Sequence, residues 1–395
     1  MERAAAECYR EGMTTMRAAV LEDVDRIVVR DVPRIDPSAT EVLVRVQAVG
    51  LCGTDIHIVQ GHGNYNTDDH GRQIPLSVQP QILGHEIAGV VAEVGKDVTD
   101  LAVGDRVIVD QGRTCISDHH VPVCEYCVSG DSHQCEHYRE LGITGLPGGF
   151  AEYVTIAATN AVPLQSTLPA ERAAMVEPFG CVLHSMDLVR RSGARFALHS
   201  NEPSRRIRAV LIAGGGPAGL LFLQYLRTEG KFDGMILVSE PNALKRSLAE
   251  RWDAVAVDPT AVNLVDVIRE HTQGRGVELL IEASGSGALF RDIPGLIRKQ
   301  ATILLYGHGH TGVELGVLNP VQFREPTFVS PAGASGGHDG DGRPLTYLHA
   351  LQLLEDGTID VAPLVTHRYR SLDDLPRAFS GDHRRPDYVK GVLLL

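Results

Sequence analysis

Ala209-Val210-Leu211-Ile212-Ala213-Gly214-Gly215-Gly216-Pro217-Ala218-Gly219 sets the architecture of the chain. The apolar run at its start has the character of a strand buried on both faces. It leads into a G-x-G-x-x-G loop and then into Leu220-Leu221-Phe222-Leu223, which opens a helix. Gly214 permits the tight turn, Gly216 lets the backbone approach a pyrophosphate, and Gly219 lets helix and strand pack closely. Pro217 and Ala218 complete the loop at the helix N-terminus, where free amides and the helix dipole favour an anion. A second strand, Met235 to Ser239, ends at Glu240, 21 residues after Gly219. An acid at that place meets ribose hydroxyls. Its charge repels a 2′-phosphate, which favours NAD over NADP. Lys245 and Arg246 weigh the other way if they face a phosphate, their alternative being a solvated helix face.

Working outward, strands and helices alternate from Arg208 to Tyr306. That alternation is the signature of a parallel sheet covered on both faces. Upstream, Arg172 to Arg191 has helical spacing, with Pro178 expected to kink the helix or reset its start. Earlier still, residues 16 to about 160 are rich in short strands broken by Gly, Pro and Asp, as in an all-β or barrel-like unit. After about residue 330 a Gly- and Ser-rich break is followed by helix, strand, short helix and a last strand, expected to return to the first unit.

A length of 395 residues suits two or three domains. The formal net charge of −13 argues against nucleic acid or an anionic membrane as the main partner. The first fifteen residues lack the apolar core of a secretory signal. Ala209 to Leu226 approaches membrane-span length, but its glycines fit the loop better. A cytoplasmic protein is expected. Four of its seven cysteines fall between positions 115 and 135, which reads as metal before disulfide.

Three further stretches carry reactive groups. Gly50-Leu51-Cys52-Gly53-Thr54-Asp55-Ile56-His57 follows the alternating run Glu41 to Val49 and reads as a loop where a sheet hands over to function. Gly84-His85-Glu86 sets an imidazole beside a carboxylate, and Glu177 precedes Pro178. A thiolate, an imidazole and a carboxylate suit a catalytic zinc with one open position. Cys124, Cys127 and Cys135 suit a closed structural zinc. Cys115 is the candidate fourth ligand, with His119, His120 and His133 as nearby substitutes. Cys8 and Cys181 read as ordinary.

From about Met16 onward the chain resembles the zinc-containing medium-chain alcohol and polyol dehydrogenases. The motifs are Gly50 to His57, Gly84-His85-Glu86, the Cys124/Cys127/Cys135 lobe, Gly149-Phe150-Ala151-Glu152-Tyr153, Glu177-Pro178 and Gly214 to Gly219. The resemblance implies an α/β plus β fold. A GroES-like catalytic domain would comprise residues 1–183 and 333–395, with a structural zinc lobe at about 112–138. A Rossmann doubly wound parallel sheet would be inserted over 184–332.

The resemblance also implies roles. Cys52 and His85 would bind catalytic zinc, completed by Glu86 or Glu177. Thr54 would hold the substrate hydroxyl, His57 would pass its proton toward solvent, and Asp55 would orient a ligand. Hydride would pass from a secondary alcohol of a polyol, cyclitol or sugar to NAD. Glu177-Pro178 points to the polyol, sugar and threonine dehydrogenases. The loop Gln60 to Gln81 and Ser239-Glu240-Pro241 resemble cyclitol dehydrogenases of the scyllo-inosose type. The Trp expected after the His in threonine dehydrogenases is absent. Val121 stands where the first Cys of a compact lobe would be, and Lys299-Gln300 replaces a common Gly-Gly. The alternatives are a threonine or amino-alcohol dehydrogenase, a zinc- and NAD-binding protein without turnover, and a zinc-free quinone reductase. A homodimer or homotetramer is expected.

Overall fold

The computed structural model describes residues 14–334 and 336–395; Cys8 and Met13 lie outside them. Six parallel strands form one sheet, in the order Val255–Val257, Met235–Ser239, Ala209–Ala213, Val277–Glu282, Ile297–Leu305, Thr327–Val329. Ala209–Ala213 and Val277–Glu282 are buried along their whole length, as a strand covered by helices on both faces must be. Sequence order reverses between these two, and Ala213 pairs with Glu282 at their carboxyl ends. Sheets of this kind bind ligands in the crevice outside such a reversal.

A second, seven-stranded sheet is built around Glu41–Gly50. That strand pairs antiparallel with Glu86–Val94, with Tyr153–Ala157 and with the last strand, Lys390–Leu394. The register sets Gly50 opposite both Glu86 and Val392. Segments far apart in sequence therefore meet at one residue. Arg26–Pro33, Thr15–Asp23 and Gln81–Ile82 make a smaller sheet.

The helix Val176–Arg191 packs against both Pro217–Arg227 and Leu345–Glu355. Phe179 and Val182 of this helix lie in one apolar cluster with Ala48 and Ala88 of the mixed sheet and Val210 and Ile212 of the parallel sheet. Pro178 resets the helix start. It is the third residue of the helix, within the first turn, where a missing N–H removes no helical bond.

The structure differs from expectation most clearly in the following elements. The stretch read as a loop after Gly50 is a short helix, Gly53–Val59, buried through Asp55, Ile58 and Val59. At seven residues it is too short for its 3.6-residue period to show beside the two glycines. The edge strand Thr327–Val329 was not read at all, because three residues carry no periodicity. Gln300, in place of the usual glycine, takes φ +59° inside the strand Ile297–Leu305, so the substitution keeps the turn at a conformational cost. Among the described residues, no helix is long and apolar enough to cross a membrane.

Candidate active site

Cys52 sits at the N-terminus of the Gly53–Val59 helix, directly after the strand that ends at Gly50. Its N–H donates to Asp55 Oδ2 at 2.9 Å, which closes the first turn. Asp55 Oδ1 accepts the Gly84 N–H at 3.2 Å and lies 3.5 Å from His85 Nδ1, a charge contact without hydrogen-bond geometry. This buried carboxylate therefore fastens the Cys52 turn to the Gly84-His85-Glu86 strand. Cys52, His85 and Glu86 bring ligand atoms within 4.8 Å of one another.

Glu86 is fully buried. Its Oε1 accepts from Lys390 Nζ at 2.5 Å, while Oε2 has no hydrogen-bond partner. Oε2 lies over Gly50, where a Cβ would approach it to 1.7 Å. Burial alone would lower the basicity of the His85 imidazole, but the negative charges of Asp55 and Cys52 raise it well above its ordinary value. A thiolate, an imidazole and a carboxylate oxygen without a partner, all turned inward, form a donor set that fits zinc.

Glu177 is not in that group. It is buried, and its Oε1 accepts from Gln111 Nε2 at 3.0 Å and from Cys181 Sγ at 3.3 Å. The Tyr347 hydroxyl donates to Gln111 Oε1, which fixes the amide so that its nitrogen faces Glu177. Burial, with the nearby Glu86 charge, raises the Glu177 carboxyl to about 7. Burial raises Asp110, whose Oδ1 accepts the Gly112 N–H, to about 7 as well. Glu86 thus occupies the position nearest the thiol and imidazole, with Glu177 held behind it.

Thr54 Oγ1 lies 3.7 Å from Cys52 Sγ. His57, one turn further along the helix, is half-buried, and its Nδ1 is buried without a hydrogen-bond partner. Gly309, from the loop after Ile297–Leu305, comes so close that a Cβ there would lie 2.8 Å from His57 Cε1. The parallel-sheet half of the molecule therefore meets the mixed-sheet half at this imidazole. Burial, then the charges of His62 and His308, lower its affinity for a proton.

The glycine loop stands at the crevice mouth. Gly214 has φ +104°, a left-handed conformation open to glycine. A Cβ on Gly219 would lie 1.9 Å from Gly214 O, while nothing stands within 4 Å of the Cβ position of Gly216. The backbone at Gly216 is bare toward the crevice, and the helix Pro217–Arg227 begins there. Glu240 Oε2 accepts the Gly215 N–H at 2.8 Å and its Oε1 accepts the Asn242 N–H at 2.9 Å. Arg246 is engaged by Asp258 at 3.2 Å and by the carbonyls of Glu240 and Pro241. The Lys245 N–H joins the Asn242 cap at 3.1 Å. Glu282, fully buried at the neighbouring strand end, accepts from Ser284 and Gly285 and pairs with His310 Nε2 at 2.7 Å, tying two crevice loops together. These features fit a dinucleotide.

Cys115, Cys124, Cys127 and Cys135 bring their sulfurs within 4.8 Å of one another. Cys115 Sγ is 3.5 Å from Cys135 Sγ. His119, His120 and His133 are outside this group, and Val121 is 92% exposed. Four converging thiols repel one another once ionised and suit a closed tetrahedral zinc.

Lys390, Gln111 and Tyr347 were missed in the sequence. Lys390 left one clue, a lone charge in the apolar strand from Val389 to Leu394. Gln111 and Tyr347 left none. Cys181, read as ordinary, is buried as expected but is hydrogen-bonded to Glu177.

Residues 38–166 match the alcohol dehydrogenase GroES-like domain, and residues 217–348 match the zinc-binding dehydrogenase family. The chain is 30% identical over 350 residues to L-threonine 3-dehydrogenase of Pyrococcus abyssi, covering 88% of this chain and 89% of that one. A zinc-binding dehydrogenase of Sinorhizobium meliloti, solved with NADP, superposes with a TM-score of 0.75 at 29% identity, over 97% of this chain and 100% of that chain. Galactitol-1-phosphate dehydrogenase of Escherichia coli shares the fold, with a TM-score of 0.73 at 23% identity over 96% and 100% of the two chains. With both domain matches, the relatives and the paired zinc-type and dinucleotide-type sites in agreement, the chain belongs to the zinc-binding medium-chain alcohol dehydrogenase family.

Proposed function

We propose that this dehydrogenase oxidises a secondary alcohol of a polyol, cyclitol or sugar, with NAD as acceptor. The observation that carries the reading is the placement of Cys52, His85 and Glu86 beside Thr54 and His57, at the crevice of the glycine loop. Zinc held by Cys52, His85 and Glu86 would supply a Lewis acid, and the dinucleotide a hydride acceptor. The chain's own residues do the rest. Thr54 orients the alcohol O–H and relays its proton, and His57, poorly protonated at rest, receives it. Lys390 occupies one oxygen of Glu86 and leaves the other for the metal. Gln111 holds Glu177 in reserve as the alternative carboxylate ligand. The cysteine lobe, with Cys115 as fourth ligand, would hold a structural zinc.

NAD is favoured by Glu240, whose carboxylate stands on the glycine loop. Arg246, which bonds the carbonyls of Glu240 and Pro241, is already engaged by Asp258. The relatives named for threonine support a second reading, an amino-alcohol substrate. The reading includes the division into residues 1–183, 184–332 and 333–395, and a dimer or tetramer in the cytoplasm.

NADH absorbance against a panel of polyols, inositols, aldoses and L-threonine tests the substrate. Turnover confined to threonine would overturn the polyol reading. Cys52→Ala is expected to abolish turnover while dinucleotide binding persists; full activity in that variant would sink the mechanism.

A further inference from the structure

The helix Gly53–Val59 ends in a defined cap. Gly61 has φ +73°, the His62 N–H donates to His57 O at 2.9 Å, and the Gly61 N–H donates to Ile58 O at 3.0 Å. These paired bonds around a left-handed glycine are the Schellman arrangement. Its geometry brings the side chain after the glycine back onto the one five residues earlier, where an apolar contact is usual. Here both places hold histidine. The rings of His57 and His62 lie 5.9 Å apart, centroid to centroid, inclined by 54°. His57 is half-buried beneath Gly309, whereas His62 is exposed.

We propose that His62 carries the proton of the oxidised alcohol from His57 to solvent. The inference rests on the reading of His57 as proton acceptor. The bookkeeping is closed: the alcohol C–H bond gives its electron pair as hydride to the nicotinamide, and the O–H bond releases a proton. That proton passes from Thr54 to a nitrogen of His57, then to His62 directly or through one water, and then to buffer. A single water spans such a gap readily, and an imidazole changes charge near neutral pH, as this task demands. The neighbouring charges that bear on His57 are those of His62 and His308. Asp55, on the same helix, is turned to Gly84 and His85, and His310 is held by Glu282. His62 is preferred to His308 because its seat is fixed by the cap.

His62→Gln keeps the size of the side chain and removes the proton-carrying nitrogen. In dilute buffer its kcat should fall by about tenfold, below the roughly 10²–10⁴-fold expected of a group that acts directly on the alcohol. A concentrated buffer base too bulky to reach the metal should restore it, with KM for the alcohol unchanged. A kcat equal to wild type in dilute buffer would overturn the proposal. So would a loss that buffer does not restore, because that would mean the cap had merely moved His57. His57→Gln separates the two levels. If it too turns over at the wild-type rate, the role of His57 fails and this inference with it. If it is impaired while His62→Gln is not, this inference alone fails.

Discussion

Gly50 shows how much of a site can depend on an atom that is absent. Glu86 stands opposite it in the ladder and folds its carboxylate across the bare Cα. A methyl group at 50 would have to share space with Oε2, 1.7 Å away, so Glu86 would be driven off its position. Gly50→Ala is therefore expected to lose the metal bound at Cys52, His85 and Glu86 while the four-cysteine lobe keeps its own. Metal analysis of the purified variant checks this; full retention at both places would refute it. Cys52 and His85 could be singled out because each lies in a short motif of chemically matched neighbours, but only the family resemblance united them, and the choice between Glu86 and Glu177 stayed open in the sequence. Lys390 and Gln111 were not legible, since they reach Glu86 and Glu177 only through tertiary contacts that span 304 and 66 residues.

At the scale of elements, the parallel sheet was the easiest part to read. Its strands are buried on both faces, so each is a short apolar run, and the helix after Gly219 follows at once. The helix Gly53–Val59 was hidden because Asp55 and Cys52, rather than an apolar stripe, determine its start. The same close packing that made the glycine loop readable makes it fragile. Gly219→Ala would set a Cβ 1.9 Å from Gly214 O, pushing the helix away from the loop. Dinucleotide affinity should fall by at least about tenfold, or ~1.4 kcal/mol, in a fluorescence titration of the full-length protein. Unaltered affinity would show that the loop tolerates the shift.

For the whole molecule, the joint between the two sheets is the helix Val176–Arg191, and it carries a pH liability. His184, on this helix, is buried, its Nε2 has no partner, and its ring meets that of His133 edge-on at 4.3 Å. Burial, and secondarily the charge of Arg191, pull its pKa from 6.5 down to about 4. The unfolded chain therefore binds the proton more readily than the folded one. The stability contribution is complete above about pH 6.5 and is lost progressively as the pH falls toward about 4. Glu177 and Asp110, raised to about 7, pull the other way, so the readout is the difference between wild type and His184→Asn: the wild-type denaturant midpoint should fall relative to the variant's as the pH drops through that window. An equal slope in the variant would assign the effect elsewhere. The two-part organisation was legible from the change of pattern near residue 172, but no local signal announces that one helix is shared by both cores.

The ladder that seats Lys390 beside Glu86 joins residues 304 positions apart. A ribosome makes Cys52, His85 and Glu86 well before Lys390. Until Lys390 is made, Glu86 has neither its lysine nor the strand that pairs beside Gly50. The nascent chain can present thiol, imidazole and carboxylate to a metal, but in an open and hydrated setting that discriminates poorly among ions. A metal that met Cys52, His85 and Glu86 before the Lys390 strand docks would therefore find a chamber still open on one side.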